Sequence, residues 1–244
     1  MLAAIAAATR RIRIGPLVSP VTFRHPAVLA KMAATLDHVS DGRLILGLGA
    51  AGLAAEHATF GIPFGPRSER VQRLDEACVI LRSMLDDPQT TFVGRHYQVR
   101  DATAEPKPIQ RHLPILIGGG APSIVGIAAR RADMWNMIAT PDAFAPAIAN
   151  LRARLDTLGR ERSAIAATAS FRAVIRAMPA AIAARVDQLD PVWRDDPYRL
   201  AGGPADLRRS IVRYAEAGAD GVIVQMPAPY DFETLASLVA IVHT

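Results

Sequence analysis

A single cysteine, Cys78, stands among 244 residues, so the chain can form no internal disulfide and no cysteine-rich metal site. Lysine is nearly as scarce: Lys31 and Lys107 are the only two among 28 basic residues. Aromatic residues make up only 5%. No run reaches the roughly 18 uninterrupted apolar residues that a membrane span needs. The apolar start, residues 1–9, has no basic region before it and runs into Arg10 and Arg11, so it reads as a helix and not as a secretory signal. These absences point to a cytoplasmic protein without metal.

What is present is alanine, 45 residues of it, and arginine, with a net charge of +5. The isoelectric point is about 10. The arginines are scattered, with few aromatics between them, which argues against nucleic acid as a partner. Surplus arginine serves an anionic small ligand equally well. With 50% apolar residues there is ample material for a core, and residues 1–244 read as a single domain.

Along the chain, short apolar runs alternate with longer amphipathic segments. Helices are predicted at 2–9, 26–38, 67–85, 142–158, 179–189, 204–217 and 231–243. Pro26 stands at a first helical position. Strands are predicted at 12–18, 43–48, 113–117, 133–138, within 165–176 and at 220–225. A hairpin is expected over 90–100, turning at Gly94. Near-continuous apolar strands between helices predict an α/β fold with a parallel sheet covered on both faces. The pattern alone leaves a doubly wound sheet and a (β/α)8 barrel open. The last unit, EAGADGVIVQMP, favours the barrel, with ligand residues just past its strand.

Three segments carry candidate chemistry. In Ile117–Trp135 a strand runs into Gly118, Gly119 and Gly120, then Ala121 and a helix. Such a turn lets backbone N–H groups approach a phosphate. Leu46–His57 (LGLGAAGLAAEH) also follows a strand, so Gly49 and Ala50 are expected at the same mouth. Glu56 and His57 read as solvated residues of a helix face. Pro16–Lys31 places Ser19, Thr22, Arg24 and His25 just beyond a strand. His25, as a histidine, is a weak catalytic candidate; the alternative is that Arg24 and His25 cap and stack around the helix start. Asp75 and Glu76 read as a solvated face. There is no nucleophile elbow, no HExxH and no other metal-ligand spacing.

These segments, with RIRIGPLVSPVTFRHPAVLAKMAATLDHVSDGRLILGLGA at 11–50, FGIPFGPRSERVQRLDEA at 60–77, FVGRHYQVRDATAEPKPIQ at 92–110 and LPILIGGGAPSIVGIAARRADMWN at 113–136, resemble the luciferase-like monooxygenase family. That is the bacterial luciferase superfamily of flavin- or deazaflavin-dependent oxidoreductases. The resemblance implies a TIM-like (β/α)8 barrel, here without the family's first two strands, and a homodimer. It implies that the cofactor phosphate rests on Gly118, Gly119, Gly120 and Ala121. It further implies that Leu17, Val18 and Ser19 lie behind the isoalloxazine, on a strand that carries a non-proline cis peptide in the deazaflavin branch. Coenzyme F420 is the expected cofactor, with FMN as the alternative; Arg24, Arg130 and Arg131 are candidates for its anionic tail. The expected activity is hydride transfer between F420 and a small organic substrate. The alternatives are an FMN-dependent monooxygenase and a non-catalytic barrel. One departure stands out: Gly52 occupies a position where the family often has an acidic or aromatic residue.

Overall fold

The computed structural model describes residues 1–226 and 230–242. Pro227, in the segment expected just past the last strand, and His243, at the end of the last expected helix, lie outside them. The chain divides into two compact units, Met1–Trp135 with Arg154–Ile165, and Asn136–Ala153 with Ala166–Thr244.

The first unit opens with helix α1 (Leu2–Ala8), followed by β1 (Ser19–Pro20), α2 (Pro26–Ser40), β2 (Leu46–Gly49), α3 (Ala54–Thr59) and α4 (Arg67–Asp86). The hairpin β3 (Thr90–Val93) and β4 (Gln98–Ala102) comes next, then β5 (Ile115–Gly118) and α5 (Pro122–Arg131). β1, β2 and β5 run parallel, with Ser19 opposite Leu48 and Leu46 opposite Ile115. The whole of β2 is buried, as an apolar strand between covering layers must be. Helix α4 turns Leu74, Ala77, Cys78, Leu81 and Leu85 inward, the spacing of one helical face. Proline opens α2 and α5, where a missing N–H leaves no bond unmade. The hairpin is held at its turn by Glu76 of α4, whose carboxylate accepts the backbone N–H groups of Arg95, His96 and Tyr97.

The strand expected over 12–18 is a correction. The chain there makes one bridge, Ile14 to Leu44, and ladder pairing begins only at Ser19. Pro16 has no N–H to give to a ladder. The strand expected from Arg43 starts at Leu46. Arg43 instead folds back, its guanidinium donating to the carbonyls of Ala6, Thr9 and Ile12.

β6 (Met134–Ile138) crosses the boundary between the units. The second unit contains α6 (Pro141–Thr157) through Ala153, β7 (Ala166–Ile175), α7 (Pro179–Asp187), α8 (Pro191–Arg194) and β8 (Arg199–Gly202). It ends with α9 (Pro204–Glu216), β9 (Gly221–Gln225) and α10 (Phe232–Val242). β7 is long enough to pair with β9 over Thr168–Arg172 and with β8 over Arg172–Ile175, both in parallel. Phe171 stacks on Tyr214 at 5.1 Å between ring centroids, and the Tyr214 hydroxyl donates to the Ala139 carbonyl. Burial pushes the Tyr214 phenol up to about 12.

Candidate functional site

Because β1, β2 and β5 are parallel neighbours, the segments that follow them emerge at one end of the sheet. Val18 sits at their meeting point. A Cβ added to Gly49 would lie 2.5 Å from a Val18 methyl, and one added to Gly118 would lie 2.9 Å from another. Glycine at 49 and 118 is thus the socket into which Val18 fits. The Leu17–Val18 peptide is cis, at the position the resemblance implied. Gly119 has φ +130°, and a Cβ there would meet Ile124 at 3.3 Å. The indole N–H of buried Trp135 donates to the Gly119 carbonyl at 2.9 Å, fixing the turn from below.

A cleft of about 360 Å³ opens above these residues. Val18, Gly49, Ala50, Gly118 and Gly119 form part of its wall, and Glu56, Arg67 and Arg70 another part. Arg70 is only 9% exposed. Its Nε donates to the Ala50 carbonyl at 3.0 Å and its Nη1 to the Gly65 carbonyl at 2.6 Å, while the guanidinium lies 3.7 Å over the Phe64 ring. Among the described residues no carboxylate pairs with it. The cleft therefore presents a buried positive charge, Ile124 in the first turn of α5 and an open glycine turn. That set fits an anionic group such as a phosphate. Gly52 also lines the cleft, and nothing stands within 4 Å of where its Cβ would be.

The remaining sequence candidates fall elsewhere. Gly120 and Ala121 continue the turn, and Ala121 is the residue that caps α5. Leu17 is 42% exposed. Ser19 points away from the cleft into an apolar cavity of about 660 Å³ with Leu29, Leu44 and Leu46. Its hydroxyl is buried without a hydrogen-bond partner. His25 caps α2, Nδ1 accepting the Ala27 N–H at 3.2 Å, and meets the Tyr97 ring edge-on at 5.3 Å. It lines a second cleft of about 410 Å³ with Arg24, Glu69, Arg73 and Tyr97. There the Arg73 guanidinium holds the Glu69 carboxyl below its usual range.

Three readings need correcting. His57 is buried, not solvated: Nδ1 donates to the Leu53 carbonyl and Nε2 bonds to the Thr22 hydroxyl at 2.7 Å. The Phe23 and Phe64 rings enclose it at 4.9 and 4.8 Å. Arg130 and Arg131 are both bound to Asp75 on the helix behind, so they are not placed as cofactor-tail residues of the cleft. Asp75 and Glu76 for their part are engaged, not merely solvated. Arg70 was missed altogether. The signal was present in RSERVQRLDEA, where arginine at 70 falls three and four positions from Arg67 and Leu74 and so shares their helix face.

The family model described as luciferase-like monooxygenase matches residues 1–220. An F420-dependent glucose-6-phosphate dehydrogenase of Microbacterium testaceum is 39% identical over 133 residues, which are 54% of this chain and 39% of that protein. The pyrimidine monooxygenase RutA of Cronobacter turicensis is 31% identical over 167 residues, 66% of this chain and 43% of that protein. The chain thus spans well under half the length of these relatives. The coenzyme F420-dependent tetrahydromethanopterin reductase of Methanopyrus kandleri superposes with a TM-score of 0.76 at 20% identity, covering 91% of this chain and 79% of that one. This likeness shows the fold, the α/β, mostly parallel architecture of TIM-barrel enzymes of this type.

Proposed function

We propose, from the premise that this chain belongs to the luciferase-like monooxygenase family, that it is an oxidoreductase using coenzyme F420. The observation that carries the reading is the cleft: a buried guanidinium that no carboxylate among the described residues pairs with, beside a glycine turn and the start of α5. Bound there, the deazaflavin would accept or return a hydride at its C5. The Gly118–Ala121 turn and Arg67 would hold its phosphate, and the Val18 segment would back its ring. Arg70 holds the loops around it. Leu17 and Ser19, which do not line the cleft, would act through the strand that carries Val18. The reacting partner is a small organic molecule. Residues 1–244 would form part of one luciferase-like domain, cytoplasmic and working as a homodimer, which sedimentation analysis tests directly.

A second reading, an FMN-dependent monooxygenase, is favoured by the pyrimidine monooxygenase relative, whose match spans more of the chain. Titration separates the two, because Trp135 reports on Gly119. Micromolar quenching by oxidised F420 with weak response to FMN supports the first reading. The opposite preference establishes the second. A folded chain that binds neither overturns both. Among the described residues no helix is long and apolar enough to cross a membrane.

A further inference from the structure

The second unit contains two arginines with too few partners. Arg172 of β7 and Arg199 of β8 are directly opposite each other in the parallel ladder, so both side chains leave the same face of the sheet. One carboxylate, Asp196, pairs with Arg172 and is itself almost wholly buried. Arg172 also donates to the Val192 carbonyl, and Arg199 donates to the Trp193 carbonyl, each at 3.1 Å. No carboxylate pairs with Arg199 among the described residues. The Nε–H groups of both arginines are sealed from solvent, and neither has an acceptor. An orphaned buried donor is rare in native proteins, and two on facing residues are a stronger anomaly. Burial lowers the pKa of Arg172, the direction desolvation gives any cation. The Trp193 ring lies against Arg172, whose guanidinium is 4.1 Å from its centroid.

We propose that Arg172 and Arg199, beneath Trp193, form a binding site for an oxyanion, a phosphate or a carboxylate. Guanidinium forks match the oxygens of such groups in plane and spacing. An oxyanion would supply the absent acceptors and balance the excess charge. Helix α8, four residues long, carries Trp193 and both acceptor carbonyls, so it is the element that entry of the anion displaces. None of these residues lines the cleft of the first unit, and the inference does not depend on which cofactor binds there. The anion has two sources, a free small molecule or the acidic portion of a larger cofactor.

The test uses the whole chain. Inorganic phosphate is titrated against chloride at matched ionic strength while tryptophan emission is followed; Trp193→Phe identifies the responding ring. The expected result is a saturable change that requires Trp193 and is weakened at least tenfold in Arg199→Met. Arg199→Lys, which keeps a charge but lacks the Nε donor, should be weakened as well. Phosphate should also raise the melting temperature of the wild type more than chloride does, a readout that needs no variant to fold. Absence of a saturable change, or full phosphate affinity in Arg199→Met, overturns the site. Competition between F420 and phosphate for the Trp193 signal assigns the anion to the cofactor. Phosphate binding that F420 leaves untouched assigns it to a separate small molecule.

Discussion

At the scale of single residues, the glycines of the cleft divide by what stands beside them. Gly49 is required because Val18 fills the space its side chain would need, whereas Gly52 faces open space. Gly49→Ala should therefore lose about 1–3 kcal/mol to overpacking. Gly52→Ala should stay within about 0.5 kcal/mol of the parent. Urea denaturation of both variants checks the contrast, and equal losses would contradict the socket. Arg70 gives a second prediction. Its fork and its stacking on Phe64 hold the loops at Ala50 and Gly65. Lysine keeps the charge and loses that geometry. Hydrogen bonds to a charged group contribute about 1.5–3 kcal/mol, so Arg70→Lys should weaken binding of the preferred cofactor roughly tenfold or more. Wild-type affinity in the lysine variant would show that charge alone suffices. The glycines were legible in the sequence because three in succession exceed what a turn needs. Arg70 was not, because a buried arginine and a surface arginine look alike until their neighbours are known. His57 was misread for the same reason.

At the scale of elements, the start of α10 is tied to the end of β7 by one acid. Asp231 accepts the Thr234 N–H and hydroxyl and pairs with Arg176, and Thr234 in turn accepts the N–H of Ile175. Burial alone would raise the Asp231 carboxyl, but its bonds to Thr234 and Arg176 outweigh burial and hold it below the usual range. A lowered folded-state pKa means this stabilisation is complete above the unfolded value near ~3.9 and disappears as pH falls through the lowered value. Asp231→Asn should thus melt lower than the parent at pH 7. The deficit should be roughly 2 kcal/mol, less than the ~3–5 for a fully orphaned partner because Glu233 still pairs with Arg176. The gap between the two melting curves should narrow as pH falls below ~3.9 and close once pH lies below the lowered folded-state value. A gap that persists there would assign the effect to shape and not to charge. The longer helices opened by proline, α2, α5, α7 and α9, were the most legible elements. The pieces that escaped prediction are short: α8 and β8 span four residues each, too few for a period to declare itself.

At the scale of the molecule, alternation of apolar strands and amphipathic helices revealed an α/β fold with a parallel sheet. It did not separate a barrel from a doubly wound sheet, since both bury strands on two faces, and likeness to known structures decided between them. The lone cysteine offers a measure of how the folded chain opens. Cys78 lies in the core of α4 at 1% exposure, and burial pushes its thiol up to about 12. In the native state it is neither accessible nor a thiolate near neutral pH, so a disulfide reagent can reach it only through an opening of the first unit. Residues of that same unit line the cleft assigned to the cofactor. A ligand that binds only the closed form suppresses opening by the factor 1 + [L]/Kd. When reclosing outpaces labelling, F420 at about 100 times its Kd should slow labelling of Cys78 roughly hundredfold. A labelling rate indifferent to saturating F420, with binding verified by Trp135 emission, would mean either that the thiol becomes accessible through a fluctuation the cleft does not control, or that F420 binds the open form equally well.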